Sequence, residues 1–317
     1  MSNSFVKAEK VVQTSLALLA REVAVPQLLW RNAVTGFEGA KDDTISVRLP
    51  AYVEANSRAL RSGDARTKSS LKQRKVDVTL DTDLYIDAPV TDEEMELDVQ
   101  SFATDIAAPI MSGIARGIEN KAVSTIEDAT YNTSIEIDPA DLKGTIAEAR
   151  EALNKANVPG NGRTLLIGTE FDSALVTTDW LSKVNESGTD SALRDALIGR
   201  LYGFNVVVSN AIAPDTAYAF HSTAFPFVTR VPRVPSGVPW GTSMASNGFG
   251  MRLVQVFDPD AVETRVVADS WVGVGVTTDV GAFDESGRFT PAEDPEDSGV
   301  SALLTRAVEL TAPTSGF

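Results

Sequence analysis

A single histidine, His221, and no cysteine stand among 317 residues, and these two counts bound the chemistry the chain can do. Without cysteine there is no disulfide, thiolate ligand or thiol nucleophile. One histidine cannot build a histidine-rich zinc site. A Ser–His–acid triad needs a serine on a tight strand-to-helix turn. The nearest pattern, Gly241-Thr242-Ser243-Met244-Ala245, lacks the second glycine, follows a proline-rich stretch and comes after His221, the reverse of hydrolase order. Asp77, Thr79, Asp81 and Asp83 alternate along one stretch and could attract a hard cation. No glycine-turned calcium loop surrounds them, which favours a solvated or partner-facing strand face. Asp258 and Asp260 flank Pro259, where turn chemistry accounts for them. Gly273 and Gly275 lack the third glycine and the helix start of a dinucleotide site, and the sequons at Asn132 and Asn185 carry no meaning without a secretory signal. The expectation is therefore no catalytic residue, no metal site, no cofactor and no enzyme.

The elements that would have to position such groups tell more. A net charge of −16 argues against a surface that grips nucleic acid throughout, yet it suits a wall that must not adhere to packed DNA. With 43% hydrophobic and 23% charged residues the composition is globular. Neither a charged and then apolar leader nor a run of about 18 apolar residues occurs, so neither secretion through a signal peptide nor a membrane span is expected.

Thr44–Leu49 and Lys75–Leu80 alternate like half-buried strands and enclose a long polar excursion. From Arg58 to Lys75 it carries seven bases (Arg58, Arg61, Arg66, Lys68, Lys72, Arg74 and Lys75) against one acid, Asp64, giving +6 inside a chain whose remainder carries −22. Apart from Leu60 and Leu71, those residues include almost no large apolar groups. Loops of this length are usually functional or disordered. Two readings stay open: a basic arm that docks on the acidic body of a neighbouring copy, and a solvated flexible loop.

Residues 3–25 read as an amphipathic helix closed by Pro26, followed by the apolar anchor Leu28-Leu29-Trp30; it is either an extended arm or a helix packed on its own domain. Thr91-Asp92-Glu93-Glu94 is a capping box, and Phe102, Ile106, Ile110, Ile114, Ile118 and Ile126 continue at helical spacing. Together they predict one helix from about Asp92 to Asp128, bent near Pro109 and softened by Gly113 and Gly117. From Asp138 the pattern becomes α/β: helix 140–156, strand 163–168, short helices at 170–176 and 190–197, and strands at 203–209 and 217–220. Residues 225–248, rich in proline and glycine, read as an irregular surface loop. Strands resume at 251–257, 262–268 and 270–277. Six acids make 284–297 look like a linker, before a last apolar segment at 300–310.

Several short motifs in this order resemble the major capsid (coat) proteins of tailed bacteriophages. They are Leu153-Asn154-Lys155-Ala156-Asn157-Val158-Pro159 with Arg163–Ile167, Gly203–Asn210, Ala219–Phe225, and Gly250–Leu253 through Trp271–Val274. The resemblance spans about 270 residues. It implies an α+β phage major-capsid fold: an N-terminal arm (1–35), an extended β-hairpin loop (36–88), a long spine helix with the peripheral domain (89–137), and an α/β axial domain (138–248). Peripheral-domain strands (249–283) and an acidic linker with a C-terminal segment (284–317) complete it. No room is left for the large inserted domain of some relatives, nor for a built-in scaffolding segment. The resemblance further implies hexamers and pentamers of an icosahedral head around double-stranded DNA, assembled in the host cytoplasm and ending in the virion. Scaffolding and portal proteins are implied partners, with room for a decoration protein and none for a membrane. Two rival readings are a cellular nanocompartment shell of the same fold and a carboxylate-dependent α/β enzyme.

Overall fold

A computed structural model describes residues 24–314 apart from 32–43, 50, 54, 62–64, 67, 70, 92–101, 178–198, 239, 247–248, 260–262, 293 and 295–299. The described chain forms two compact units. One gathers Met1–Ile45, Val78–Glu127 and Phe225–Gly275; the other gathers Ser46–Asp77, Asp128–Ala224 and Val276–Phe317. Most of the expected helix 3–25, the capping box at 92–94 and the helix at 190–197 lie outside the described residues.

The first unit is built on a five-stranded antiparallel sheet. Its order is β10 (Trp240–Ser246), β11 (Phe249–Asp258), β12 (Glu263–Val274) and β3 (Thr82–Val90), with β9 (Phe227–Arg230) also pairing with β12. Helix α2 (Ala108–Glu127) lies on β3 and β12. Ile110, Ile114, Ile118 and Ile126, four or eight apart, put their side chains on the buried face, where Met111, Ala115, Ala122 and Val123 join them. Gly113 and Gly117, expected to soften the helix, have a different reason. A Cβ on Gly113 would sit 2.5 Å from Ile86 Cδ1, and one on Gly117 would sit 3.5 Å from Leu84 Cδ1. They let the helix approach β3 closely.

The described part of the expected 92–128 helix runs from Phe102 to Glu127, and its first six residues, Phe102–Ala107, are π-helical. Pro109 explains this locally. It has no amide to donate to the Asp105 carbonyl, and its ring would crowd that carbonyl in a straight α-helix. A wider turn just before the proline relieves both problems.

Pro26 sits in the first turn of the short α1 (Val25–Leu28), and the helix expected before it lies outside the described residues. The anchor that follows packs at home, with Leu29 buried, Trp30 N donating to the Phe225 carbonyl at 3.0 Å and the Trp30 carbonyl accepting from Phe227 N at 3.1 Å. Two readings of this unit need correction, the surface loop at 225–248 and the separate strands at 262–268 and 270–277. The supposed surface loop 225–248 supplies β9 and β10, and Phe225, Phe227 and Val228 are core residues. Its prolines fall outside those strands. The strands expected at 262–268 and 270–277 are one, β12, because Asp269 does not interrupt it: the carboxylate is buried against Arg252, whose Nε donates at 2.8 Å.

The second unit carries a six-stranded mixed sheet in the order β4 (Ser134–Glu136), β16 (Ala307–Thr311), β8 (Ala217–His221), β5 (Arg163–Ile167), β7 (Phe204–Val208) and β6 (Arg200–Leu201). Strand β5, buried at every residue, runs parallel to β7 and antiparallel to β8. Helix α3 (Leu142–Lys155) starts at Asp141, whose carboxylate accepts from Gly144 N at 2.9 Å. Its Leu142, Ile146, Ala149 and Leu153 join Phe171 and Leu175 of α4 (Thr169–Thr177) in the core.

The stretch 284–297, expected to be a linker, holds a strand among its described residues, and the C-terminal apolar segment supplies two more. Strand β14 (Phe289–Pro291) pairs with β13 (Asp279–Phe283), which also pairs with β15 (Ser301–Leu303), and β16 enters the large sheet between β4 and β8. The acids that suggest a linker include a turn builder. Asp284 Oδ1 accepts from Ser286 N at 2.9 Å and Arg288 N at 2.8 Å. Among the described residues, no helix is long and apolar enough to cross a membrane.

Candidate assembly surface

The basic excursion leaves a two-stranded ladder, β1 (Thr44–Leu49) and β2 (Arg74–Thr79). The ladder is pinned from side chain to side chain: Thr44 and Thr79 hydroxyls lie 3.1 Å apart, and Ser46 Oγ donates to Asp77. Beyond it, residues 55–59 have no regular structure and the chain turns at Leu60-Arg61, with Arg61 at φ 65°. Leu60 is 97% exposed and Leu71 78%. Arg58, Arg61, Arg66, Lys68, Lys72 and Lys75 are all exposed; Asp64 lies outside the described residues.

Arg74 departs from that set. It is largely buried, and its Nη2 donates to Asp279 Oδ1 at 3.3 Å. Lys72 Nζ meets Asp294 Oδ2 at 2.5 Å, and Lys75 Nζ meets Asp77 at 3.1 Å. Tyr52, on the outgoing limb, lines a small pocket with Asn157, Asp284, Arg288 and Phe289. So the root of the arm packs on its own unit, while the outer part keeps its bases and leucines at the surface. Arg74, expected among the assembly contacts, thus belongs to the fold of its own unit.

Asp279 is the residue that sequence reasoning missed. Arg306 grips it through Nε (2.7 Å) and Nη2 (2.8 Å), and Thr305 Oγ1 donates to it at 2.9 Å. Burial pushes its carboxyl up, but Arg306, Thr305 and Arg74 outweigh burial and hold it below its ordinary value. Arg306 Nη1 donates to Thr223 Oγ1 at 2.9 Å, and that hydroxyl lies 2.8 Å from His221 Nδ1. The one histidine is therefore a buried member of a polar chain.

The other residues weighed for chemistry are dispersed. Ser243 lies within strand β10, not on a turn. Asp77, Asp81 and Asp83 do not share a strand face, since β2 ends at Thr79 and β3 begins at Thr82. Asp81 accepts from Lys121 at 2.8 Å, and Asp83 accepts from Trp271. Burial and Asp269 raise the Asp83 carboxyl, Arg252 and Trp271 opposing them. Among the described residues, no three histidine, aspartate or glutamate side chains are grouped to hold a metal ion.

The outward face of the first unit's sheet is polar and partly aromatic. Cross-strand register sets Asp83 opposite Trp271, Tyr85 opposite Asp269, and Asp269 opposite Arg252. Arg265 donates to Asp87 from Nε at 3.1 Å, and Tyr85 stands 68% exposed between Asp83 and Asp87. Alternation along β3 places these groups outward while Leu84 and Ile86 face α2.

Comparison with known proteins fits this architecture. Residues 77–292 match a family described as phage capsid protein. No curated protein is recognisably similar in sequence. Among solved structures, the chain is similar to one from Mycobacterium phage Che8 at 19% identity and TM-score 0.63, covering 93% of this chain and 92% of that one. It is similar to the capsid of cyanophage P-SCSP1u at 13% identity and TM-score 0.63, covering 98% and 90%. A virus-like particle from Pyrococcus furiosus matches at 12% identity and TM-score 0.51, covering 96% and 98%. At these identities the likeness is one of fold.

Proposed function

The chain belongs to the phage capsid protein family, and on that premise we propose that it works by assembly, as the major subunit of an icosahedral phage head. Copies associate into hexamers and pentamers around double-stranded DNA, in the host cytoplasm, and the virion is their final location. The observation that carries this reading is the exposed outer part of the arm. Leu60 and Leu71 stand almost wholly in solvent among Arg58, Arg61, Arg66 and Lys68, on a chain of net charge −16. Apolar groups displayed in this way gain by burial against a partner, and the partner with opposite charge is the acidic body of another copy. Individual contacts are weak, and many of them sum in a closed shell.

No enzymatic role is assigned. The acidic wall lets DNA pack without adhering to it. Scaffolding and portal proteins are its expected partners, with a decoration protein on the shell as a further one. The test is electron microscopy and sedimentation of the purified protein, with nuclease digestion of any particles. Shells that protect double-stranded DNA when made during infection support the reading. Because the fold is also that of a virus-like particle, shells that never hold DNA would turn it toward a nanocompartment. A monomer with catalytic turnover would overturn it.

A further inference from the structure

We propose that the side-chain relay Arg74–Asp279–Arg306–Thr223–His221 is a proton-sensitive latch on the root of the arm, closed at neutral pH and released by mild acid. The hydrogen bonds give the direction. Thr223 N donates to His221 Nδ1 at 3.2 Å. Thr223 Oγ1, which accepts from Arg306, has its own hydrogen free for the same Nδ1, 2.8 Å away. With Nδ1 accepting twice, the ring hydrogen belongs on Nε2, and the Asn161 backbone is a further hydrogen-bond partner of the imidazole. A second proton on Nδ1 would set N–H against N–H. It would also place a cation beside Arg306 and the cross-strand neighbour Arg163, with Arg150 acting on Arg163 in turn. The carboxylate of the relay, Asp279, is already held by Arg306 through two bonds.

Protonation breaks the bond from Thr223 N, and although the Thr223 hydroxyl can turn to accept from the new N–H, the imidazolium then faces the Arg306 guanidinium and repels it. Arg306 shifts Asp279 with it through its two bonds, and the strain falls on that carboxylate's weakest partner. Arg74 holds Asp279 by one long bond of 3.3 Å, and its Nη1 is buried with no hydrogen-bond partner among the described residues. The root is thus poised to let go. Burial, aided by Arg306 and Arg163 and opposed by the Asn161 backbone, lowers the imidazole's pKa, so the latch stays shut at neutral pH. The latch rests on the assembly reading only for its use; its mechanics belong to one subunit.

Hydrogen exchange by mass spectrometry on full-length, unassembled subunits tests it, with rates corrected for intrinsic pH dependence. Moving from about pH 7.5 to about pH 5.5 should lower protection of peptides covering β2 and the Ser222–Ala224 turn by about tenfold. His221→Asn should remove the step, and Arg74→Gln should leave β2 weakly protected at both pH values. Thr223→Val keeps the histidine but cuts the relay, so it should abolish the step in β2 even if His221→Asn does not fold. Equal wild-type protection at both pH values, or an undiminished step in Thr223→Val, overturns the latch. Failure to form shells would bear on the assembly reading alone.

Discussion

Arg74 and Asp279 stand 205 positions apart in sequence, yet Arg74 Nη2 lies 3.3 Å from Asp279 Oδ1. That contact ties the first residue of the returning arm strand to the start of β13. It divides the seven bases of the excursion into one that belongs to the fold and six exposed ones, of which Arg58, Arg61, Arg66 and Lys68 form the outer part.

Charge reversal of Arg61, Arg66 and Lys68 together should abolish shell formation while leaving the subunit folded. Each exposed pair is worth only about 0–1 kcal/mol, so single reversals should be mild. Sedimentation reads assembly and circular dichroism reads the fold; shells from the triple variant would refute the arm's role.

Arg306→Ala should destabilise the subunit by about 3–5 kcal/mol, because it strips the two-bond partner from a buried carboxylate. Arg74→Ala should cost less, about 1–2 kcal/mol, since Arg306 still compensates Asp279. Urea unfolding should rank them in that order.

Asp279 should also make stability depend on pH. Its folded-state pKa is lowered, so its contribution is complete above the unfolded carboxyl value of about 3.9 and is lost as pH falls through the folded value. Wild-type protein should lose stability steeply below about pH 4, while Asp279→Asn, weaker at neutrality, should lose less over that range. Equal slopes in urea titrations would rule this out.

Gly117→Ala should stabilise α2 by about 0.5–1 kcal/mol, the ordinary gain of alanine over glycine in a helix, because its Cβ would meet Leu84 at ordinary contact distance. Gly113→Val should instead cost about 1–3 kcal/mol by overpacking against Ile86. Thermal melts that move the same way for both would show that the close approach has no weight.

Pro109→Ala restores an amide that can donate to the Asp105 carbonyl. It should convert the π-helical run 102–107 to α-helix and rotate Phe102 out of its edge-on contact with Trp240, now 5.4 Å between ring centroids. The precursor shell should suffer more than the mature one, through the change in the helix that leads into α2. A tryptophan emission spectrum unchanged from wild type would count against the conversion.

Much of this was legible in the chain itself. Four-residue steps of isoleucine marked α2, and the apolar stripe within 140–156 marked α3, though not its cap at Asp141. Short apolar runs at Leu165–Ile167 and Val206–Val208, bounded by turn residues, marked β5 and β7. Periodicity is a local property, so local sequence reveals it. The proline-rich stretch misled because composition signals breakage wherever it is dense. Yet the paired positions Ser246 and Phe249 leave only Asn247-Gly248 between β10 and β11, and an Asn-Gly pair is a strong hairpin signal.

By itself, then, the sequence determined α2, α3, β5 and β7, the absence of cysteine chemistry and the basic arm on an acidic chain, because composition and period need no partner to be read. Only the tertiary structure decided which charges are spent within the subunit. Arg74, Asp279, Arg306 and His221 come from four separate stretches, and long-range pairing alone brings them together. The same holds for β16, whose place between β4 and β8 follows from edges that exist only once both strands are in place. Gly113 is the last case: a helix-breaking residue in isolation, it becomes the point of closest approach once Ile86 lies across from it.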